Sequence, residues 1–591
     1  MERDNLTSKQ NDYAIFLPAI SGFYATFIGK QRYDTNYIDS NRMPTAINDM
    51  EELNWLNSQT SLFPYKWSLY SGGHANLDLT KFDPSEDMVR NREAGTFILG
   101  DSGGFQIAKG LWEGEWRDPS SVEVQQKLLD LQTQGVEIRN IHDKDGNPKL
   151  DKNGNPKTIT IDHAKNYQKL IDAAQKKRES VLAWLDGVSD YGMILDIPTW
   201  VIHDPKASKA CGITKLEEAV NATKYNNEYF MKHRKGKNNG GTKFLNVLQG
   251  DNHTSAEEWY QIMKVYCDPN VYPDTHFDGW AMGGQNMCDV ELILKRLVAL
   301  RYDNLLQQGV HDWMHFLGTS KLEWAVLLTV IQRAIRKYIN PNFTISFDCA
   351  SPFLATANGQ VYHHVDLPHE QKWCYRMSPS IDDKKYATDT RMWRDVVIQD
   401  HIEHFKHFDE SPISSRCKIN DICIYKDGIR KTEVELNGET FDVTNLNHYT
   451  VAPDLNKIGK VGKTSWDSFS YALQMGHNVW THIYAVQEAN RKFDSGEYPW
   501  MLRYENGDYS KFQDIVEAIF SASTREESEA IIKYYQKYWM DIIGTRGFKG
   551  KKALNANTMF NKLFETSDDD GMSEDEVDFD ETNLDNLSTG L

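Results

Sequence analysis

The chain has 591 residues, with 85 Asp and Glu against 66 Lys and Arg and a formal charge of −19. Its content of 40% hydrophobic and 12% aromatic residues excludes disorder for most of the length and permits one large domain with appendages, or two to three domains. No apolar run of about 18 residues occurs, which excludes a membrane-spanning helix, and seven thinly spread cysteines fit a reducing compartment better than a disulfide scaffold.

Read in chain order, the opening MERDNLTSKQND lacks the basic-then-apolar layout of a signal peptide, so a cytoplasmic location is expected. Short apolar runs then recur: YAIFLPA, TFILGDSGG, YGMILDIP, KFLNVLQGD, FDGWAMGGQ, WMHFLGTS and FTISFDCASP. Each reads as a buried strand that stops at Gly, Asp, Gln or Ser. Between several of them lie stretches such as SAEEWYQIMKVYC, DVELILKRLVALRYDNLLQQ and KLEWAVLLTVIQRAIRKYI, with apolar residues three and four apart. Strand–helix alternation predicts a parallel sheet with helices outside it. A (β/α)8 barrel over residues 1–365 fits best, and a doubly wound open sheet is the alternative. In both, function sits at the carboxyl ends of strands.

Two insertions break the pattern. The near-duplicated DKDGNPKLDKNGNPKT at 143–158 reads as a turn-rich β-excursion on the surface, within about 140–160. An EF-hand reading fails there, because Gly146 follows Asp145 directly and Gly154 stands where a bidentate Glu would be needed. The second insertion, about 366–465, is polar and carries Cys417, Cys423 and a hairpin expected in IRKTEVELNGETFDV. Its GKVGKTS at 459–465 is too short for a phosphate-binding loop. Helical patterning returns over 466–564, expected to pack on the barrel. Residues 565–591 hold eleven acids and no Lys or Arg, more than half of the formal charge, and read as a disordered tail.

The strand ends carry the chemistry. Asp348 in ISFDCASP, Asp101 in ILGDSGGFQ and Asp196 in MILDIP are carboxylates whose burial is costly unless they are hydrogen-bonded or used. Ser102 and Gly103 after Asp101 offer backbone N–H groups and close approach, as do Gly283 and Gly284. Gln249 supplies an amide that can read a heterocycle's edge. A lone strand-end Asp is more often a cap or loop anchor than a catalyst. Several strand ends together suggest a pocket for a flat, hydrogen-bonding ligand. Two carboxylates with separate roles suit displacement at an anomeric carbon, one attacking C1′ while the other moves protons.

The order DSGGFQ, LDIP, VLQGD, AMGGQ, FLGTS and FDCASP resembles the tRNA-guanine transglycosylase family, with its DSGG(F/Y)Q, a later strand-end Asp, VQGG, a (V/I)GG turn and FDCV-P. The likeness covers about residues 95–355, with a weaker echo at 470–495. It implies a (β/α)8 barrel and exchange of guanine in a polynucleotide for a free 7-deazaguanine base, with no organic cofactor. By that resemblance Asp348 is the nucleophile and Asp101 the general acid/base. Asp196 and Gln249 read the base edge, Gly284 donates an N–H, Phe105 stacks on the base and Leu317 closes its other face. Ile197-Pro198 after Asp196, Leu248-Gln249-Gly250-Asp251 and Cys349-Ala350-Ser351-Pro352 depart from the tRNA enzymes. Those departures, the insertions and the length look more like the DNA-modifying branch of phages and genomic islands, which inserts bases such as preQ0. DNA is the expected polymer, in the host cytoplasm for a phage protein, and tRNA is the alternative.

The resemblance also implies a structural Zn²⁺, for which Cys417, Cys423, His448 and His477 are the expected ligands, with Cys374 and His482 as spares. The plainer reading is loop thiols and ordinary histidines. Basic loops at 232–237, 457–463 and 546–552 could neutralise phosphates, although for any one of them a solvated surface is the commoner meaning.

Overall fold

The computed structural model describes residues 12–34, 47–144, 146–236, 241–357, 359–379, 411–417, 419–422, 424–427, 433–436, 439–442, 462–465 and 468–544. Cys423, His448, the expected tail, the loop at 546–552 and most of that at 457–463 lie outside them.

Eight strands form one parallel sheet: β1 (Ile15–Pro18), β2 (Trp67–Ser71), β3 (Phe97–Asp101), β4 (Tyr191–Met193), β5 (Lys243–Leu248), β6 (Gly279–Met282), β7 (Trp313–Phe316) and β8 (Thr344–Cys349). Spatial order follows chain order around the sheet, with β1 beside β8. The β1–β2 seam is joined at its carboxyl end, where Ile20 N–H donates to the Leu69 carbonyl (2.9 Å). This is a nearly closed barrel, and the absence of any reversal in strand order excludes the doubly wound alternative. Seven of the strands match the expected apolar runs. The eighth, β2, was not foreseen.

The first residues of four strands plug the amino end of the barrel. Trp313 stacks on Phe97 with centroids 4.6 Å apart, and lies 5.3 Å from Tyr191 and 6.0 Å from Trp67. Since β2 and β7 are not neighbours, these rings meet across the axis. With that end filled, the opposite, carboxyl end is left for a pocket. The plug is backed by a buried ion pair: Arg234 Nη2 lies 3.1 Å from Asp278 Oδ2, which also accepts the Phe244 N–H (2.9 Å) at the start of β5. Asp278→Ala strands a buried guanidinium, so we expect about 3–5 kcal/mol of lost stability in chemical denaturation. Arg234 belongs to the basic stretch at 232–237, whose described residues, 232–236, precede β5 at the amino end, away from the strand ends that carry the site. That placement removes it from the expected phosphate-binding loops.

Helices follow the strands, among them His163–Val188 before β4, Leu216–His233 before β5, Val290–Tyr302 after β6 and Leu322–Tyr338 after β7. A hairpin of Gln360–Asp366 with Cys374–Pro379 spans the expected boundary at 365/366, which therefore cuts a paired element. Helix Ser468–Asp494 packs on it: Asn478 Oδ1 accepts the Tyr362 N–H (2.9 Å) and His482 stacks on Phe16 of β1 (4.1 Å). Helices Lys511–Ser521, Arg525–Tyr534 and Gln536–Gly544 cover the helices after β6 and β7, with Arg301 donating to the Phe520 carbonyl (2.7 Å) and Gln536 to Glu291 (3.0 Å). In the second insertion Glu433–Leu436 pairs with Glu439–Asp442, the expected hairpin, and Gly462–Ser465 pairs with Ile424–Asp427. The end of GKVGKTS is thus a strand rather than the helix start that a phosphate loop requires. Among the described residues no helix is long and apolar enough to cross a membrane.

Candidate active site

A cavity of about 310 Å³ opens at the carboxyl ends of the strands and brings together Asp101, Phe105, Asp196, Gln249, Gly283, Gly284, Leu317 and Asp348. Eight of the ten expected catalytic and base-binding residues therefore share one space. Ser102 and Gly103 do not line it. Ser102 is buried and its Oγ donates to the Ile194 carbonyl (2.9 Å), tying β3 to the segment after β4. Gly103 takes φ +85 at the start of a short helix, its N–H 3.3 Å from Asp101 Oδ1, and a Cβ there would lie 2.5 Å from the Trp112 ring.

Asp196 is held by its backbone neighbours on both sides. Helix Leu216–His233 supplies Asn226, whose amide donates to the Leu195 carbonyl (2.6 Å), and Thr223, whose Oγ1 accepts the Ile197 N–H (3.0 Å). The Asp196 carboxyl then accepts from Gln249 Nε2 (2.7 Å), so the two foreseen edge-reading groups are already paired. Burial pushes the Asp196 carboxyl up to about 7, with the Asp101 charge adding to the rise and the Gln249 bond opposing it. Gly283 and Gly284 leave room beside them: a Cβ on Gly283 would lie 2.6 Å from Gln249 Nε2, and one on Gly284, at φ +55, 2.5 Å from the Gly250 carbonyl oxygen.

Asp101 and Asp348 have different surroundings. Burial raises the Asp101 carboxyl above its ordinary range, and the Asp348 charge adds to this. Ser71 Oγ donates to Asp101 Oδ2 (2.7 Å) and the Gly103 N–H to Oδ1, and both oppose the rise. Asp348 receives two donors on one oxygen: the Gly318 N–H (3.0 Å) and His315 Nε2 (3.1 Å) both reach Oδ1. Oδ2 has no donor among the described residues. The His315 tautomer follows from its partners on both sides. Trp313 Nε1 lies 2.8 Å from Ser346 Oγ, and Ser346 Oγ lies 2.8 Å from His315 Nδ1. A carboxylate only accepts, so Nε2 carries the ring proton toward Asp348; the bare Nδ1 then accepts the Ser346 hydroxyl, which itself accepts the Trp313 indole N–H.

Ser71, His74, Trp200, His315 and Gly318 were not foreseen. Ser71 and His74 follow β2, which no apolar run marks in the sequence, although Ser-Gly-Gly occurs at both 71–73 and 102–104. Trp200 joins Phe105 at the mouth, with centroids 6.1 Å apart, and Lys109 Nζ lies 5.2 Å from the Phe105 ring and 5.8 Å from that of Trp200. Phe105 is 40% exposed, a face open for a planar ligand to cover.

The expected zinc ligands are only half described. His477 is buried, with Nε2 2.8 Å from the Tyr362 carbonyl oxygen and Nδ1 3.0 Å from Ser414 Oγ. Cys417 Sγ lies 3.3 Å from the Ile413 carbonyl oxygen. Cys423 and His448, the other two expected ligands, lie outside the described residues. Among the described residues no three His, Cys, Asp or Glu side chains cluster as a metal site would require.

The arrangement can take a flat ligand between apolar faces, read a donor–acceptor edge through Asp196 and Gln249, and present an oriented carboxylate beside a desolvated one. No protein-family model matches the chain, and no curated protein matches it either.

Proposed function

We propose that the protein exchanges guanine in DNA for a free 7-deazaguanine base such as preQ0. The observation that carries this reading is the convergence in one cavity of Asp348, Asp101, the Asp196–Gln249 pair and the Gly283–Gly284 turn. Asp348 attacks C1′ of the deoxyribose through the oxygen that His315 and Gly318 leave open, and the guanine departs with its bonding electrons. Asp101, biased toward its protonated form by burial, gives a proton to the departing base and recovers one from the incoming base. The new base attacks C1′ from the face just vacated and expels Asp348. Two displacements give net retention. One glycosidic bond replaces another, so the exchange consumes no nucleotide. The departures at Ile197-Pro198 and Ala350-Ser351 and the insertions support DNA, while tRNA is the alternative polymer.

Nucleosides from DNA and from tRNA of cells that make the protein and receive preQ0 distinguish the two. A 7-deaza nucleoside in the DNA digest is expected; one confined to tRNA would overturn the choice of polymer. His315 acts as a positioning residue for Asp348. His315→Phe is expected to lower kcat about 10–100-fold with KM for the base little changed. His315→Gln, which keeps an N–H donor, should recover part of the loss. Equal rates for all three would remove His315 from the mechanism.

A further inference from the structure

One polar side chain in the cavity has no task in the exchange as described. Gln106, on the short helix Gly104–Ala108, lines the cavity and is only 8% exposed. Its Oε1 is buried and meets no hydrogen-bond partner among the described residues. The carboxylates and the second amide around it are engaged: Ser71 donates to Asp101, Gln249 to Asp196, and His315 and Gly318 to Asp348. A buried amide carbonyl left unpaired destabilises the empty protein, and a ligand that supplies a donor removes that penalty.

The chain keeps space clear for this amide. A Cβ on Gly73 would lie 2.0 Å from Gln106 Nε2, and one on Gly103 would lie 3.2 Å from Oε1, so the amide rests against a glycine of each Ser-Gly-Gly turn. The same two turns hold Asp101, through the Ser71 hydroxyl and the Gly103 N–H. Gly104, the next residue, adjoins Asp196: a Cβ there would lie 2.6 Å from the Asp196 carbonyl oxygen and 3.4 Å from Oδ1. Gln106 therefore stands on the segment that joins the surroundings of Asp101 to those of Asp196.

That order matches one side of a guanine ring. A carboxylate accepts, so Asp196 suits the N1–H and the 2-amino group, and Gln249 is left for the O6 carbonyl. Asp101 serves N9, the nitrogen bonded to C1′. Between the 2-amino group and N9 lies N3, an acceptor, and one of the two amino hydrogens points to that side. A side-chain amide offers a donor beside an acceptor, the complement of this pair. Given the base-exchange reading, on which the assignment rests, we infer that Gln106 reads the N3 and 2-amino edge of the base. Nε2 donates to N3, and Oε1 accepts the amino hydrogen that Asp196 does not take. The base is thereby held along the side that runs from Asp196 to Asp101, with N9 facing the proton donor. A ring without an acceptor at N3 or without the 2-amino group leaves part of the amide unpaired and is selected against.

The test titrates preQ0, and its 3-deaza analogue with C–H in place of N3, into the full-length protein and into Gln106→Leu by calorimetry, beside melting curves. Gln106→Leu is expected to bind preQ0 at least about tenfold more weakly. It should melt no lower than the wild type, because the buried carbonyl it removes has no partner to lose. The analogue should bind the wild type about tenfold more weakly than preQ0 does, and bind Gln106→Leu no more weakly than preQ0 does. Gly73→Ala, whose Cβ displaces the amide, should copy the loss with the glutamine still present. Unchanged preQ0 affinity in both variants overturns the assignment. An equal penalty for the analogue in wild type and variants makes Gln106 structural and overturns it as well. Binding is read without turnover, so the two failures separate: a wild type that binds no preQ0 removes the base-exchange reading together with this assignment, whereas tight preQ0 binding that ignores Gln106 removes the assignment alone.

Discussion

Asp348→Asn is expected to lower base exchange by at least about 10⁴-fold while leaving the fold and free-base binding in place. The substitution keeps an oxygen where the Gly318 N–H and His315 Nε2 donate, so the local hydrogen bonds survive. It removes the electron pair that bonds C1′. A covalent protein–DNA adduct, visible on a denaturing gel when guanine is the only base present, should form with the wild type and not with the variant. An adduct that persists in Asp348→Asn would move the nucleophile elsewhere, with Asp101 the first carboxylate to test.

The second large effect sets stability against function. The folded Asp196 carboxyl sits at about 7 against an ordinary 3.8 because burial penalises its charge. Between those values the folded state holds a proton that the unfolded state has lost. This contribution to stability is therefore full below the ordinary value, falls as pH rises through the window, and is gone above about 7. Asp196→Asn removes the titration and keeps the shape. At pH 8 the variant should be more stable than the wild type by about 2–4 kcal/mol, and near pH 4 the two should converge. Base binding should fall at least about 100-fold, because a buried amide in place of the carboxylate mismatches the donors on the base edge. Melting curves at the two pH values beside base titrations check both signs. A variant that is less stable at pH 8 would contradict the desolvated setting of Asp196.

Most of the barrel was legible because buried parallel strands read as short apolar runs that stop at polar or glycine residues, as in TFILGDSGG and FTISFDCASP. WSLYS, which forms β2, is short and interrupted by Ser68 and Ser71, so it does not stand out as an apolar run although it is buried. The site's first layer was legible for the same reason: Asp101, Gln249 and Asp348 terminate or directly follow strands, so strand direction alone sends them to one end. Their partners were not. His315 supports Asp348 only because β7 lies beside β8 with His315 opposite Ser346, and register cannot be read from either strand by itself. Helix context alone marks His477, and its placement against Tyr362 and Ser414 depends on the hairpin and the 411–417 segment, which are distant in sequence. The stretch at 232–237 shows the reverse case. Its place before β5 was enough to put its described residues at the amino end, whatever its charge.

The most direct measurement of the central claim uses the purified protein, duplex DNA labelled in guanine, and unlabelled preQ0. We predict release of guanine matched one for one by preQ0 in the DNA, with the β configuration at C1′ retained and no nucleotide consumed. Guanine release without incorporation, or incorporation with inversion, would contradict a double displacement through Asp348.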